Sequence, residues 1–216
     1  MDRSTHYLTF ATAYARGALA LPRAMPDESV LARAKEAELR LHRFKRNAAL
    51  PRVRRVLGIL RALNPTSLVD LGPGRGTFLW PCLDAFPSLH VLCVEQSEVR
   101  CEQLEALRAG GVDRVNVLRH DITTPTSLSD GAADVVTALE VLEHVSDPRP
   151  AARELVRLAT RFVVVSVPST PDDNPEHLRL FTPWSLEALL REAGATRVQI
   201  DHVPRHMIAV ARVGAS

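Results

Sequence analysis

Two hydrophobic periods divide the chain. Between residues 27 and 63 apolar positions recur at helical spacing, with Leu31, Ala34 and Leu41 in one row beside Glu38, and Val53, Val56, Leu57 and Leu60 in another after Pro51. This predicts two helices, the second opened by Pro51, whose missing N–H is not needed in a first turn. Beyond residue 63 short strand-like runs alternate with amphipathic stretches. Strand 67–71 precedes helix 77–86, strand 90–94 precedes helix 97–109, strands 115–118 and 133–138 follow, and helix 150–159 leads into strand 162–167. Such alternation implies a parallel sheet covered by helices on both faces. Thr182 caps a further helix with Pro183 at its first position and Gly194 at its end. Strands 197–201 and 206–212 then lie close enough in sequence to pair antiparallel. The expected architecture is a doubly wound α/β domain over residues 64–216, with residues 1–63 as a helical extension or lid.

Composition narrows the setting. A chain of 216 residues with 46% hydrophobic and 24% charged residues suits one soluble globular domain. No apolar run approaches the roughly 20 residues needed to span a bilayer. The mildly apolar stretch 7–24 is interrupted by Arg16 and lacks a basic head, which argues against a secretory signal. Cys82, Cys93 and Cys101 form no CxxC pair and read as buried, reduced thiols of a cytoplasmic protein. Charge is uneven: residues 1–63 carry 13 Lys and Arg against 5 Asp and Glu, the remainder 14 against 20. Residues 40–61 hold eight basic side chains and no acid. That block suits phosphates or an acidic substrate, or else it is a solvated face of an arginine-rich chain.

The chemistry begins at Leu68-Val69-Asp70-Leu71-Gly72-Pro73-Gly74-Arg75-Gly76, a buried strand running into a glycine turn and a helix start. The spacing is GxGxG, not the GxGxxG of a pyrophosphate-binding turn, and an acid stands two residues before the first glycine. An acid there suits a cationic ligand group. The next strand ends at Glu95-Gln96, where a carboxylate can accept two ribose hydroxyls, and the third at His120-Asp121-Ile122, where Asp121 can take an adenine amino group and Ile122 can pack on the ring. Three strand ends thus deliver acids to one sheet edge, where open α/β sheets bind ligands.

The runs VDLGPGRG, VEQS, HDIT and ALEVLEHVSDP together resemble the class I S-adenosylmethionine-dependent methyltransferases over residues 65–213. The resemblance implies a Rossmann-like sheet of seven strands with the last antiparallel, and S-adenosylmethionine as cofactor. It implies Asp70, Gly72, Gly74, Glu95 and Asp121 as cofactor contacts, with Gln96 and Ile122 beside them, and Glu140 facing the active site. Pro73 departs from the Cys, Ala or Ser common in relatives.

A second constellation follows the fourth strand. If residues 140–144 form a helical turn, Glu140, Glu143 and His144 share one face, and His177 lies in the loop after the neighbouring strand. Two carboxylates and two imidazoles suit an octahedral divalent ion, Mg²⁺ or, given the imidazoles, Mn²⁺, Fe²⁺ or Co²⁺. The set resembles that of small-RNA 3′-terminal 2′-O-methyltransferases and of ubiquinone-pathway O-methyltransferases. That resemblance implies Glu140, Glu143, His144 and His177 as metal ligands. Without a metal, His144 or His177 is the candidate base that takes a proton from a hydroxyl acceptor. The acceptor is either an RNA ribose, suggested by the four-ligand pattern and the basic block but without an aromatic-rich stacking surface at 5% aromatics, or a small molecule, with the N-terminal helices as a lid. A third reading is a cofactor-binding protein that serves a partner without catalysing.

Overall fold

A computed structural model describes residues 6–46 and 50–214; the remaining positions, which include the outer ends of both expected segments, lie outside the described residues. Seven strands form one sheet: β1 (Ser67–Leu71), β2 (His90–Glu95), β3 (Val115–Arg119), β4 (Ala133–Leu139), β5 (Ala159–Pro168), β6 (Ala195–Val203) and β7 (His206–Val213). Their order is β3-β2-β1-β4-β5-β7-β6. The first five run parallel, and β7 inserts antiparallel between β5 and β6. The two final strands pair with each other as their short connection requires.

Helices α1 (Leu8–Ala18), α2 (Asp27–Glu36), α3 (Pro51–Leu63), α4 (Leu79–Ala85), α5 (Glu98–Ala109), α6 (Pro148–Leu158) and α7 (Pro183–Glu192) complete the chain. The pleat sends successive side chains to opposite faces of the sheet. Val69 and Val136 enter a core with Leu155 of α6 and Leu186 of α7. Leu68 and Val135 enter the other, with Val56 and Leu60 of α3, Leu83 of α4 and Leu107 of α5. The apolar stripe Val53, Val56, Leu57 and Leu60 is buried as its spacing predicts. α1 and α3 therefore share a core with the sheet, whereas α2 closes only a small cluster of Val30 and Ala34 against Ala15.

Three local readings change. The helical period over 27–63 is broken after Glu36, where Glu38 has a φ of +52° and, among the described residues before α3, a short 3₁₀ turn, His42–Phe44, stands in place of a helix. The helix expected from residue 150 starts at Pro148, because Asp147 caps it through a 3.1 Å bond accepted from the Arg149 N–H. The stretch 7–24, read only for targeting, contains α1, which buries Phe10, Ala11 and Ala13. Its small residues carry little hydrophobic contrast. What holds it is close approach to the end of α5: a Cβ on Gly17 would stand 1.8 Å from the Ala106 carbonyl oxygen, and one on Gly110 1.7 Å from that of Ala13. Among the described residues no helix is long and apolar enough to cross a membrane. The three cysteines are unpaired and buried.

Candidate functional site

A cavity of ≈ 880 Å³ opens at the carboxyl ends of β1, β2 and β4, with Arg52 and Val53 from the first turn of α3 on its wall. Parallel strands leave their C-terminal loops on one edge, so the motif residues meet there although they are distant in sequence. Asp70 of β1 with Gly72 and Gly74 of the loop after it line this cavity, as do Glu95 at the end of β2 with Gln96, and Asp121 and Ile122 after β3.

Asp70 ends a buried strand and is 2% exposed. Its Oδ1 accepts a 2.6 Å bond from the Thr137 hydroxyl, whereas Oδ2 is buried without a partner. Burial, reinforced by the Glu95 charge against the relief from Thr137, pushes the carboxyl up to about 7. A buried oxygen of this kind asks for a donor, preferably a cationic one.

The turn that follows is shaped by its glycines. Gly74 has a φ of +57° and its missing Cβ would meet the Gly72 carbonyl oxygen at 3.9 Å, so a ligand can lie against the backbone there. Gly76, at +82°, has no room at all, since a Cβ would fall 2.1 Å from the Trp80 ring. Glu95 secures the turn: its Oε2 accepts from the Gly74 N–H at 3.2 Å and its Oε1 from the Ser97 N–H at 3.0 Å. A carboxylate has about four lone-pair sites, so acceptor capacity remains for hydroxyls. Asp121 Oδ1 accepts from the Thr123 N–H at 2.9 Å and from its hydroxyl at 2.8 Å, and these bonds hold the carboxyl below its usual range.

Glu140 lines the same cavity as His144 but is not among the clustered ligating groups, which are Glu143, His144 and His177. It has a φ of +60°, a conformation unusual outside glycine, and the turn that follows is a 3₁₀ segment of Leu142–His144. The one-face expectation assumed α-helical backbone from residue 140, and the left-handed residue breaks it. The Glu140 carboxylate instead accepts from the Ser166 hydroxyl at 2.7 Å, meets His206 Nε2 at 2.9 Å and lies 3.6 Å from Arg52 Nε. Burial alone would raise its pKa, but His206, Arg52 and Ser166 outweigh it and hold the group below the usual carboxylate range.

The remaining three candidates do converge. Ligating atoms of Glu143, His144 and His177 lie within 4.8 Å of one another. Glu143 is fully buried with neither carboxylate oxygen partnered, and burial, helped by the Glu140 charge, pushes it up to about 8. The loop after β5 supplies the rest: the Leu178 N–H donates to the Glu143 carbonyl at 2.8 Å, and His144 Nδ1 lies 3.0 Å from the Glu176 carbonyl oxygen. His177 Nδ1 lies 2.8 Å from Asp172 Oδ1, and its ring meets that of His144 edge-on with centroids 4.8 Å apart. His144 lines the cavity, and His177 stands behind it. Sequence reasoning passed over Asp172, Arg52, Ser166 and His206 as site residues, because their partners come from other loops and leave no periodic or motif signal.

The basic block is largely consumed by internal contacts. Arg46 forms a two-pronged pair with Asp84, Arg43 reaches Gln103, Arg52 and Arg55 meet Glu140 and Asp201, and Arg61 lies over the Phe86 ring.

Comparison with known proteins agrees with this geometry. Residues 69–161 match a family described as a methyltransferase domain. A 2-ketoarginine methyltransferase of Streptomyces arginensis is 35% identical over 160 residues, covering 67% of this chain and 45% of that protein. A mitomycin biosynthesis 6-O-methyltransferase of Streptomyces lavendulae is 34% identical over 140 residues, covering 62% and 38%. The chain thus spans less than half the length of these curated relatives. Among solved structures, the N-terminal domain of EvdMO1, crystallised with SAH and D-fucose, superposes with a TM-score of 0.66 at 18% identity, covering 89% of this chain and 99% of that one. An S-adenosylmethionine-dependent methyltransferase from Aquifex aeolicus gives 0.59 at 17% identity, covering 76% and 97%. With its glycine turn, its three strand-end acids and this sheet order, the chain carries a methyltransferase domain on the class I S-adenosylmethionine-dependent fold.

Proposed function

We propose that this chain transfers the methyl group of S-adenosylmethionine to a hydroxyl of a small-molecule acceptor. The observation that carries the reading is the buried, unpartnered Oδ2 of Asp70 on the cavity wall beside the glycine turn. It fits the ammonium of the cofactor's methionine part, and Glu95 and Asp121 fit the ribose and adenine. When bound, the cofactor supplies a sulfonium-activated methyl group, so the protein's task is mainly to position and desolvate.

His144 is the candidate base. The Glu176 carbonyl beside Nδ1 calls for a proton on that nitrogen, which leaves the Nε2 lone pair to accept the acceptor's proton. The two curated relatives are named for small molecules, and five of the eight basic side chains of the block already make internal contacts. Calorimetry with S-adenosylhomocysteine, and labelled methyl transfer to a metabolite extract beside total RNA, test the reading. Binding of the nucleoside and label in the small-molecule fraction are expected. No binding, or label confined to RNA, overturns it.

The unpartnered Glu143 carboxylate favours a second, alternative reading, in which a divalent ion held by Glu143, His144 and His177 takes the place of the His144 base, because an imidazole lone pair bound to a metal cannot also accept the acceptor's proton. Such an ion would lower the acceptor hydroxyl's pKa, and Asp172 and the Glu176 carbonyl would orient the two imidazoles, as outer partners of metal-bound histidines do. Mn²⁺ bound stoichiometrically, as read by electron paramagnetic resonance, and lost in Glu143→Ala is the expected result; full activity in chelator with no Mn²⁺ bound counts against it.

A further inference from the structure

Among the described residues four large apolar side chains stand well exposed: Val99, Leu178, Leu180 and Trp184, the last at 80%. Three of them fall within residues 178–184, the run that leads from the site into α7. Leu178 is on the wall of the main cavity. Leu180, Phe181 and Trp184 line a second hollow of ≈ 550 Å³, completed by the start of α6 and the outer side of α7. Ser146 belongs to both walls. The run is fastened where the hollows meet, because Arg179 Nη2 donates to the carbonyl oxygens of Val145, at 3.0 Å, and Ser146.

We propose that the second hollow is the outer part of the acceptor site and receives a flat apolar portion of an acceptor with more than one ring, whose hydroxyl end lies at His144. This rests on the methyl-transfer reading above. Three arguments select that occupant. The hollow adjoins the cavity, with Ser146 on both walls and Leu178 on the cavity wall two residues before Leu180, so a ligand that reaches from His144 past Ser146 would meet Leu180 and Trp184. The exposed indole offers a rigid face for ring stacking at little entropic cost. A second protein molecule is a poor fit, since three apolar side chains fall well short of the roughly 800 Å² per partner that a stable interface buries, and the rim carries both signs of charge in Asp147, Arg149 and Glu192.

The test uses the full chain saturated with S-adenosylhomocysteine and two probes, phenol and 4-phenylphenol, titrated by calorimetry. In the unaltered protein the two-ring probe should bind at least tenfold more tightly than phenol. Trp184→Ala and Leu180→Ser, both at exposed positions that leave the cores intact, should bring that ratio close to one without changing nucleoside affinity. An undiminished ratio in both variants overturns the proposal, and so does a change in sedimentation alone, which would mark the patch as a contact between copies. Failure of the nucleoside itself to bind removes the cofactor reading and this inference with it, whereas nucleoside binding without probe discrimination removes the outer site only.

Discussion

The Thr137 hydroxyl lies 2.6 Å from one oxygen of Asp70, and the other oxygen of that carboxylate has no partner. Half of the carboxylate is thus satisfied by the neighbouring strand and half is left for a ligand. Its pKa rises from 3.8 to about 7 through burial. The sign follows from linkage. The folded form holds this proton over a range in which the unfolded chain has released it, so ligand-free stability is lost as pH rises from about 4 through 7. Asp70→Asn should flatten that slope in thermal melts. A cationic ligand needs the ionised form, so nucleoside binding near pH 7 should release protons. Calorimetry in two buffers of different ionisation heat reads this directly, and Asp70→Asn should abolish the release and weaken binding at least tenfold, about the worth of a charged hydrogen bond.

Glu143 gives a second pH dependence with the same sign. Burial raises its carboxyl to about 8, so metal-free protein should lose stability as pH climbs from about 4.5 through 8. Glu143→Gln should melt higher than the parent at pH 9 without metal. If Mn²⁺ occupies the cluster, adding it should raise the parent's melting temperature and leave the variant's unchanged.

Two glycines offer opposite outcomes for the same substitution. Gly58 lies inside α3 with nothing within 4 Å of a Cβ, so Gly58→Ala should stabilise by roughly 1 kcal/mol through helix propensity. Gly110→Ala would drive a methyl group into the Ala13 carbonyl of α1. It should destabilise by several times that amount, as overpacking against backbone does. Denaturant midpoints compare the two.

Arg46 tests the basic block. It pairs with Asp84 through two nitrogens and lies 4.2 Å from the Tyr7 ring centroid. Both partners are partly exposed, so Arg46→Ala should cost only about 1 kcal/mol of stability. Affinity for RNA at low salt should not change; a clear drop, with a shallower salt dependence, would return the block to nucleic-acid binding.

What the sequence by itself determined is the part of this protein governed by local periodicity and by motifs at strand ends. The strand and helix alternation after residue 63 implies the doubly wound sheet, because apolar runs of that length and spacing have no other way to be covered. The acids at Asp70, Glu95 and Asp121 converge because parallel strands must end on one edge. Tertiary structure decided the rest. α1 is held by a backbone contact with α5 that its own residues do not announce. The positive φ of Glu140 engages its carboxylate with Ser166, His206 and Arg52 instead of the ligand cluster, and a spacing of three residues cannot distinguish that turn from a helical one. Asp172 behind His177, Arg52 and His206 around Glu140, and the indole of Trp184 beside the cavity take their meaning from loops far apart in the chain. Such contacts depend on where whole elements pack, and one-dimensional patterns record only how each element faces its core.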